Sequence, residues 1–254
     1  MSAGEPKLLT INSQDKDLSS VSNSDFTIEC QEKYLLQSIT RIVIVDAVVP
    51  NLFSNINVDN NRLDFREVAG LIDYQIFIPV GQYNISQLIT VLTTEIDALI
   101  TGSNVPTITL NPVTNKLEIS MSLVGLEILS TSTISEVIGQ KPGQIVLATG
   151  LITYLPRVIN LSGLPIVYIH SKALSSGHGI DAGSGITNCV VAVPMANTPY
   201  GAYTQLLPKD LAVSEITYDT PRNITSLDIR LRDSQGKILD IENLHMTLLV
   251  KLFF

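Results

Sequence analysis

This chain of 254 residues is rich in apolar residues and poor in charge: 45% of its residues are hydrophobic and 16% are charged. Ordinary soluble domains carry about 25% charged residues, so we expect part of the surface to be covered by another subunit. A monomer coated with Ser, Thr and Asn is the alternative. The formal net charge of −8 argues against general nucleic-acid binding, which needs clustered Lys and Arg against the phosphates.

The sequence predicts neither targeting to a membrane nor disulfide chemistry. The first residues lack an apolar signal core, and no apolar run reaches the roughly 18 residues that a membrane-spanning helix needs. Cys30 and Cys189 lie among apolar neighbours in strand-like segments. This setting is typical of free buried thiols.

Residues 1–23 are polar apart from a short apolar island at Leu8, Leu9 and Ile11. Such a segment is a poor core former and predicts an extended N-terminal arm. We expect the island to dock the arm on a neighbouring molecule, and a frayed terminus is the alternative.

After residue 23 the sequence first predicts a series of strands. Residues 26–29 begin the series, and residues 39–49 are so continuously apolar that they predict a strand covered on both faces. Residues 62–68 and 71–78, separated by Ala69-Gly70, are typical of a hairpin.

The hydrophobic period then changes to that of a helix. Apolar residues between positions 85 and 100 fall on one stripe. Asn84 and Gln87 have the spacing of a capping box, and Gly102 stands where helices often end on glycine. The sequence therefore predicts one long helix here.

Two shorter features follow this helix. Residues 107–110 and 116–121 predict a second hairpin. Thr133 and Glu136 have capping-box spacing ahead of one or two helical turns. We therefore expect residues of about 80–155 to form a helix-containing insertion between strands.

Strands return after residue 155, with connections rich in Gly and Pro. The segments are 164–169, 186–193, 211–218, 224–231 and 244–253. About eight principal strands predict an all-β fold, a jelly-roll β-sandwich of two facing sheets, with an immunoglobulin-like sandwich as the alternative. The expected organisation is an arm over residues 1–23 and one jelly-roll domain over residues 24–254, interrupted by the insertion.

The end of the sequence predicts two paired strands. Residues 227–231 alternate apolar and charged side chains, as a half-buried strand does. Residues 246–252 present apolar side chains on one face. We expect Phe253 and Phe254 to pack at the edge of the core or against a neighbouring subunit.

The sequence contains no motif that indicates catalysis. The histidines, His170, His178 and His245, lack the spacing of a zinc site. Ser184 stands between two glycines but without the spacing of a nucleophile elbow. We therefore expect no enzymatic activity, no metal and no cofactor.

Several longer stretches, taken in chain order, are informative together. They are LLTINSQDKD at 8–17, VVPN at 48–51, PVGQYNISQLITVL at 79–92, LEILSTSTISEVIG at 126–139, NLSGLPIVYIHSKAL at 160–174 and LDIRLRDSQGKILDIENLHMTLLV at 227–250. This series resembles the penton and minor capsid proteins of virophages, polinton-like viruses and related icosahedral double-stranded DNA viruses. The resemblance spans almost the whole chain.

The resemblance implies a structural capsid protein, most simply a penton that forms homopentamers at the fivefold vertices of the virion. It implies assembly inside the host cell and contact with the neighbouring major capsid protein and with minor capsid proteins, without direct contact to nucleic acid. On this interpretation Leu8, Leu9 and Ile11 anchor the arm beneath a neighbouring capsomer.

Other functions are compatible with the same sequence. One is another minor capsid role, such as a cement protein. A second is a receptor- or glycan-binding spike head that uses loops at about 175–185 and 194–210, with Tyr200 and Tyr203 near the ligand. A hydrolase on a β-sandwich has the least support.

Overall fold

Strands dominate the computed structural model, which describes residues 5–30, 36–68, 70–100, 106–120, 125–148, 152–175, 188–206 and 215–254. The strands are β1 (Lys7–Asn12), β2 (Asp25–Glu29), β3 (Ile39–Pro50), β4 (Arg62–Glu67), β5 (Ile72–Phe77), β6 (Thr107–Leu110), β7 (Leu117–Ser120), β8 (Leu126–Ile128), β9 (Val146–Ala148), β10 (Thr153–Tyr154), β11 (Ile166–His170), β12 (Cys189–Pro194), β13 (Tyr203–Leu206), β14 (Glu215–Arg222), β15 (Ser226–Arg232) and β16 (Thr247–Phe253). The helices are α1 (Ile85–Leu99) and α2 (Ser135–Ile138), and Ser13–Asp15 form a 3-10 turn. The predicted all-β class is confirmed.

Two compact units divide the chain. The sandwich unit comprises Met1–Phe53 and Leu164–Phe254, and the inserted unit comprises Ser54–Gly163. The inserted unit begins earlier and ends later than the insertion expected at about residues 80–155. It begins earlier because β4, the first strand of the β4–β5 hairpin, also pairs with β8, which ties that hairpin to the helix-containing segment.

Two antiparallel sheets build the sandwich unit. Sheet I has the order β1-β16-β3, and β13 and β14 pair with successive parts of the other side of β3. Sheet II has the order β12-β11-β15-β2. Alternate side chains of both sheets point inward and form one buried cluster, which includes Ile11, Phe26, Ile42, Ile44, Val167, Ile169, Leu227, Ile229, Leu231, Leu248 and Val250.

The order in which the chain visits the two sheets is that of a jelly roll. Sheet I holds β1, β3, β13 with β14, and β16, whereas sheet II holds β2, β11, β12 and β15. When β13 and β14 are counted as one interrupted strand, each sheet contributes half of the eight strands of a jelly roll. The predicted jelly roll is therefore confirmed, and the inserted unit enters the sequence between β3 and β11.

The N-terminal segment is a strand of sheet I, which differs from the extended arm expected over residues 1–23. β1 pairs with β16 along its whole length, from Lys7 opposite Leu252 to Asn12 opposite Thr247. Ile11 is 1% exposed and belongs to the sandwich core. The apolar island therefore contributes to the core of its own chain, because alternate residues of a paired strand point inward.

The inserted unit has a separate core, formed by two small sheets and α1. Sheet III has the order β5-β4-β8-β9, and sheet IV has the order β10-β7-β6. Leu88, Leu92 and Ile96 are the buried residues of α1. The predicted capping box is confirmed: the Asn84 side chain accepts from the Gln87 backbone N–H at 2.9 Å, and the Gln87 side chain accepts from the Asn84 backbone N–H at 2.9 Å.

The start of α2 differs from the prediction. Thr133 does not cap this helix, whose N-terminus has no side-chain cap. Its hydroxyl instead accepts a hydrogen bond from the Arg62 backbone N–H at 3.0 Å, which joins the turn to the start of β4. Gly139 ends α2 at a φ of 88°, where a Cβ would collide with the carbonyl oxygen of Arg157.

The remaining local predictions have mixed outcomes. The two predicted hairpins are confirmed as β4–β5 and β6–β7. Ala69 and Gly102 lie outside the described residues. Within the described part of the chain, no helix has the length and apolar character needed to cross a membrane.

Candidate functional site

Among the described residues, no cluster of three or more His, Cys, Asp and Glu side chains could hold a metal ion. His245 Nδ1 lies 3.3 Å from the Ser13 hydroxyl, and His170 is a buried residue of β11. His178 and Ser184 lie outside the described residues. The candidate functional feature is the outward surface of the sandwich unit.

The two cysteines are free thiols. Burial raises the pKa of Cys30, and the nearby Asp17 carboxylate is a smaller cause in the same direction. The Cys30 thiol therefore stays protonated at neutral pH, which makes it a poor nucleophile.

Sheet I carries aliphatic side chains on its outward face as well as on its inward face. The register places the following pairs outward: Thr247 with Val48, Leu249 with Asp46, Lys251 with Val43 and Phe253 with Arg41. Val43, Val48 and Leu249 are partly buried, although none of the described strands covers them. We call the outward side chains of β3, β13, β14 and β16 the sheet I surface, which leaves out the edge strand β1.

Polar groups on the sheet I surface differ in how well they are paired. The Arg41 guanidinium lies 3.8 Å from the centre of the Phe253 ring, and its Nη1 lies 2.9 Å from Glu215 Oε1. Asp46 Oδ2 accepts from Gln205 Nε2 at 2.8 Å. Asp46 Oδ1 is buried without a hydrogen-bond donor, and no described cation pairs with this carboxylate.

One half of the outward face of sheet II, formed by β2 and β15, is charged and internally paired. Arg230 Nε lies 3.0 Å from Asp25 Oδ1, and Arg230 Nη1 lies 3.8 Å from Asp228 Oδ2. Asp228 also accepts from the backbone N–H groups of Lys172 and Ala173 at 3.2 and 3.0 Å. These charges are therefore compensated within the chain.

The other half of this face, formed by β11 and β12, is uncharged. Its outward pairs are Ile166 with Pro194 and Tyr168 with Ala192. Arg232 of β15 lies opposite Tyr168 at the border of this half. Its Nε is buried without an acceptor, and among the described residues no carboxylate pairs with its guanidinium. We call Ile166, Tyr168, Ala192, Pro194 and Arg232 the sheet II patch.

Tyr218 joins the two sheets of the sandwich unit. Its hydroxyl, carried by β14, donates to the carbonyl oxygen of Leu174 at 2.7 Å, just beyond β11. Burial raises the pKa of Tyr218 to about 12, while the nearby Arg222 acts in the opposite direction. The neutral phenol is therefore the form that the fold stabilises.

The three residues proposed as an anchoring arm have different environments. Leu8, opposite Lys251, is 66% exposed on the outward side of β1. Leu9 is partly buried against the sandwich core, and Ile11 is part of that core. Of the three, Leu8 offers the most exposed side chain to a neighbour, and that contact stays a prediction.

The two final phenylalanines also differ. Phe253 lies on the outward face of sheet I, where Arg41 and Lys251 approach its ring. Phe254 packs against the sandwich core, with Lys7 Nζ 5.3 Å from its ring centre. The structure thus places one ring outward and the other at the edge of the core.

The tyrosines considered for ligand binding lie close to sheet I. Tyr203 begins β13 opposite Pro50, and Tyr200 is in the turn before it. Tyr200 and Tyr203 are 45% and 49% exposed. Residues 176–185 of the first candidate loop, and residues 207–210 of the second, lie outside the described residues.

Comparison with known proteins gives an informative likeness among solved structures. No protein-family model and no curated protein matches the chain. Among solved structures, the chain is similar to the crystal structure of the mavirus penton protein, with a TM-score of 0.54 and 8% sequence identity. The alignment covers 99% of this chain and 100% of that chain. What the two share is the fold. The likeness therefore supports the resemblance seen in the sequence at the level of architecture.

Asp46 and Arg232 were not singled out from the sequence. The sequence could have indicated Asp46, because it is a charged residue inside the apolar run of β3, where burial of a carboxylate is costly. No pattern in the sequence distinguishes Arg232, since it continues the regular alternation of apolar and charged residues in β15. Its lack of a carboxylate partner depends on the neighbouring strands.

Proposed function

We propose that this protein is a structural capsid protein: the penton, which forms homopentamers at the fivefold vertices of an icosahedral virion. The observation that supports this most is the fold shared with the mavirus penton protein over 99% of this chain and 100% of that chain. Because the alignment includes both units, the likeness extends beyond the jelly roll, a fold that serves many functions.

The surface of the sandwich unit is consistent with permanent assembly. Val43, Val48 and Leu249 form an aliphatic row on the sheet I surface. Subunits that assemble permanently bury large and relatively apolar surfaces, on the order of 2,000 Å² or more. A ring uses two different patches on each subunit, and the sandwich unit presents two unlike outward faces.

The proposed partners are further copies of this chain, the adjacent major capsid protein and minor capsid proteins. The proposed location is the vertex of the virion, and the role is structural rather than catalytic. The acidic net charge of −8 suits a shell protein that does not hold the genome itself.

The size of the purified protein tests this proposal. Five copies of 27.6 kDa give a complex of about 138 kDa, which native mass spectrometry would detect. Negative-stain images should show rings with fivefold symmetry. A monomer or a trimer at all concentrations would contradict the penton assignment, and a trimer that binds a glycan would favour the spike-head alternative.

A point substitution tests the proposed contact with the rest of the shell. Because β1 belongs to the core of the sandwich unit, deleting it would also damage the fold. We expect Leu8→Asp to leave pentamers intact and to reduce their incorporation into capsids formed with the major capsid protein. Val113→Asp is a matched control, since Val113 is 87% exposed in the inserted unit. Normal incorporation of Leu8→Asp would contradict the contact.

A further inference from the structure

Among the described residues, no charge on the sheet I surface compensates the carboxylate of Asp46. It lies opposite Leu249, and Val48 and Val43 occupy the adjacent outward positions of β3. Gln205 Nε2 donates to Oδ2, while Oδ1 is buried without a donor and no cation in the described ranges pairs with the group. A partly buried carboxylate among aliphatic side chains is costly unless a donor or a cation reaches it.

On the opposite face of the sandwich unit, Arg232 is a cation for which the described residues supply no carboxylate. It borders the sheet II patch opposite Tyr168. No carboxylate in the described part of the chain pairs with it, and its Nε is buried without an acceptor. The neighbouring Arg230 is paired with Asp25 and Asp228. The uncompensated cation of β15 therefore lies at the border with the uncharged half of sheet II.

We propose that the sheet I surface of one copy packs against the sheet II patch of the next copy, with Asp46 facing Arg232 across the contact. This inference rests on the proposed homopentamer and names the surfaces that form it. The two patches match in chemistry: each combines apolar side chains with one uncompensated charge, and the charges have opposite sign. Such complementarity fixes the register of a contact and disfavours wrong partners.

The placement of the two patches explains why the contact generates a ring. They lie on the outward faces of opposite sheets of one sandwich. A contact between two different patches is heterologous and can repeat from copy to copy until a ring closes. A twofold contact of the sheet I surface with itself would end at two copies and leave Arg232 unused.

Charge reversal tests the contact in the full-length protein. Asp46→Arg and Arg232→Asp should each raise the subunit concentration needed for assembly by about thirtyfold or more, as expected when one member of a buried interfacial charge pair is removed. The double variant, with the two charges exchanged, should regain most of the wild-type assembly. Native mass spectrometry across a dilution series measures the effect.

Two controls make the same changes in charge elsewhere. Glu29→Arg alters an exposed residue at the end of β2, and Lys141→Asp alters an exposed turn of the inserted unit. Both should assemble as the wild type does. If a reversed variant fails to fold by circular dichroism, Asp46→Asn and Arg232→Gln replace it, because they remove the charge with little change in shape.

Cross-linking supplies a second measurement. In a background with Cys30→Ser and Cys189→Ser, Asp46→Cys combined with Arg232→Cys should give covalent ladders of up to five copies with a short bismaleimide. Asp46→Cys combined with Glu29→Cys should not give ladders.

The outcomes separate this inference from the proposed function. If the wild type is pentameric but neither reversal weakens it, or if the exchanged pair does not recover, the Asp46–Arg232 contact is wrong and the penton assignment stands. A wild-type protein that never forms pentamers overturns the penton assignment itself.

Discussion

The outward faces of the two sandwich sheets differ most at their central strands. On sheet II, β15 sends Asp228 and Arg230 outward, and both are paired within the chain. On sheet I, β3 and β16 send Val43, Val48 and Leu249 outward. The inward faces of both sheets are equally apolar. The contrast therefore does not concern the core. It separates the paired, charged half of sheet II, which water can cover, from the sheet I surface, which suits a protein partner.

This difference has a general meaning for reading strands. Strict alternation of apolar and charged residues in β15 indicates a strand with one face exposed to solvent. The apolar run of β3 predicts cover on both faces, but the described strands cover only one of them. The proposed assembly would supply cover for the other face.

The first prediction compares substitutions of inward-pointing and outward-pointing side chains of sheet I. Val250→Asp places an unpaired carboxylate in the core and should cost about 4 kcal/mol or more of unfolding free energy. Leu249→Asn with Val43→Asp avoids a second carboxylate opposite Asp46. This double variant should lower the unfolding free energy of the isolated subunit by only about 1 kcal/mol and abolish the proposed pentamer. Denaturant unfolding and native mass spectrometry measure the two effects.

Ser226→Asp is the control for this pair, because Ser226 is an exposed outward residue of β15. It should leave both the unfolding free energy and assembly unchanged. Intact pentamers of the Leu249 and Val43 double variant would show that the aliphatic row is not an interface.

The second prediction concerns the hydrogen bond that joins the two sheets. The pKa of Tyr218 is about 12 in the folded protein, above its ordinary value of 10.0. Its contribution to stability is therefore complete below about pH 10 and falls as the pH rises towards 12, because the unfolded chain loses the phenolic proton first. The loss is at most about 3 kcal/mol, at about 1.4 kcal/mol for each pH unit between the two pKa values.

Tyr218→Phe removes this titration. The unfolding free energy of the variant should be lower at pH 8 and should fall less steeply than that of the wild type between pH 10 and 12. Parallel curves for the two proteins would contradict the assigned pKa.

The third prediction tests the paired face of sheet II. Arg230→Ala removes a half-buried guanidinium and leaves Asp25 and Asp228 without their cation. We expect a loss of about 1 kcal/mol in unfolding free energy and no loss of pentamers. Disassembly without destabilisation would mean that this half of sheet II also contacts a partner.

The fourth prediction carries the smallest effect and uses the inserted unit as a reference for an ion pair at the solvent-exposed surface. Arg66 Nε donates to Asp73 on the outward side of sheet III, and this hydrogen bond lowers the pKa of Asp73. Arg66→Ala should leave the melting temperature unchanged, because exposed pairs contribute little. The pKa of Asp73 should return towards its ordinary value in an NMR titration, and an unchanged titration would contradict the pairing in solution.

Features set by local sequence were predictable. The capping box at Asn84 and Gln87, the stripe of α1 and the hairpins β4–β5 and β6–β7 each depend on residues that are close in the chain. The strand assignments of β3 and β15 follow from their hydrophobic pattern in the same way. Thr133 shows the limit, because its hydroxyl binds the Arg62 backbone N–H, far away in sequence, instead of capping α2.

Features that depend on distant pairing were not predictable. β1 looks like a polar arm with an apolar island until β16 is placed beside it, and then Ile11 becomes a core residue. The inserted unit starts at residue 54 because β4 pairs with β8, which the hairpin alone does not reveal. The uncompensated charges of Asp46 and Arg232 likewise follow from which strands lie next to them.

The strand pairing of the sandwich unit also determines when its sheets can form during translation. β1, β2 and β3 leave the ribosome first, yet they pair with β13, β14, β15 and β16, which are made last. The inserted unit pairs its own strands in between and can complete them while translation continues. The sheet I surface exists only after the final strand has emerged. A nascent chain therefore has no finished docking face, and premature association of half-made subunits is disfavoured by the order of the strands alone.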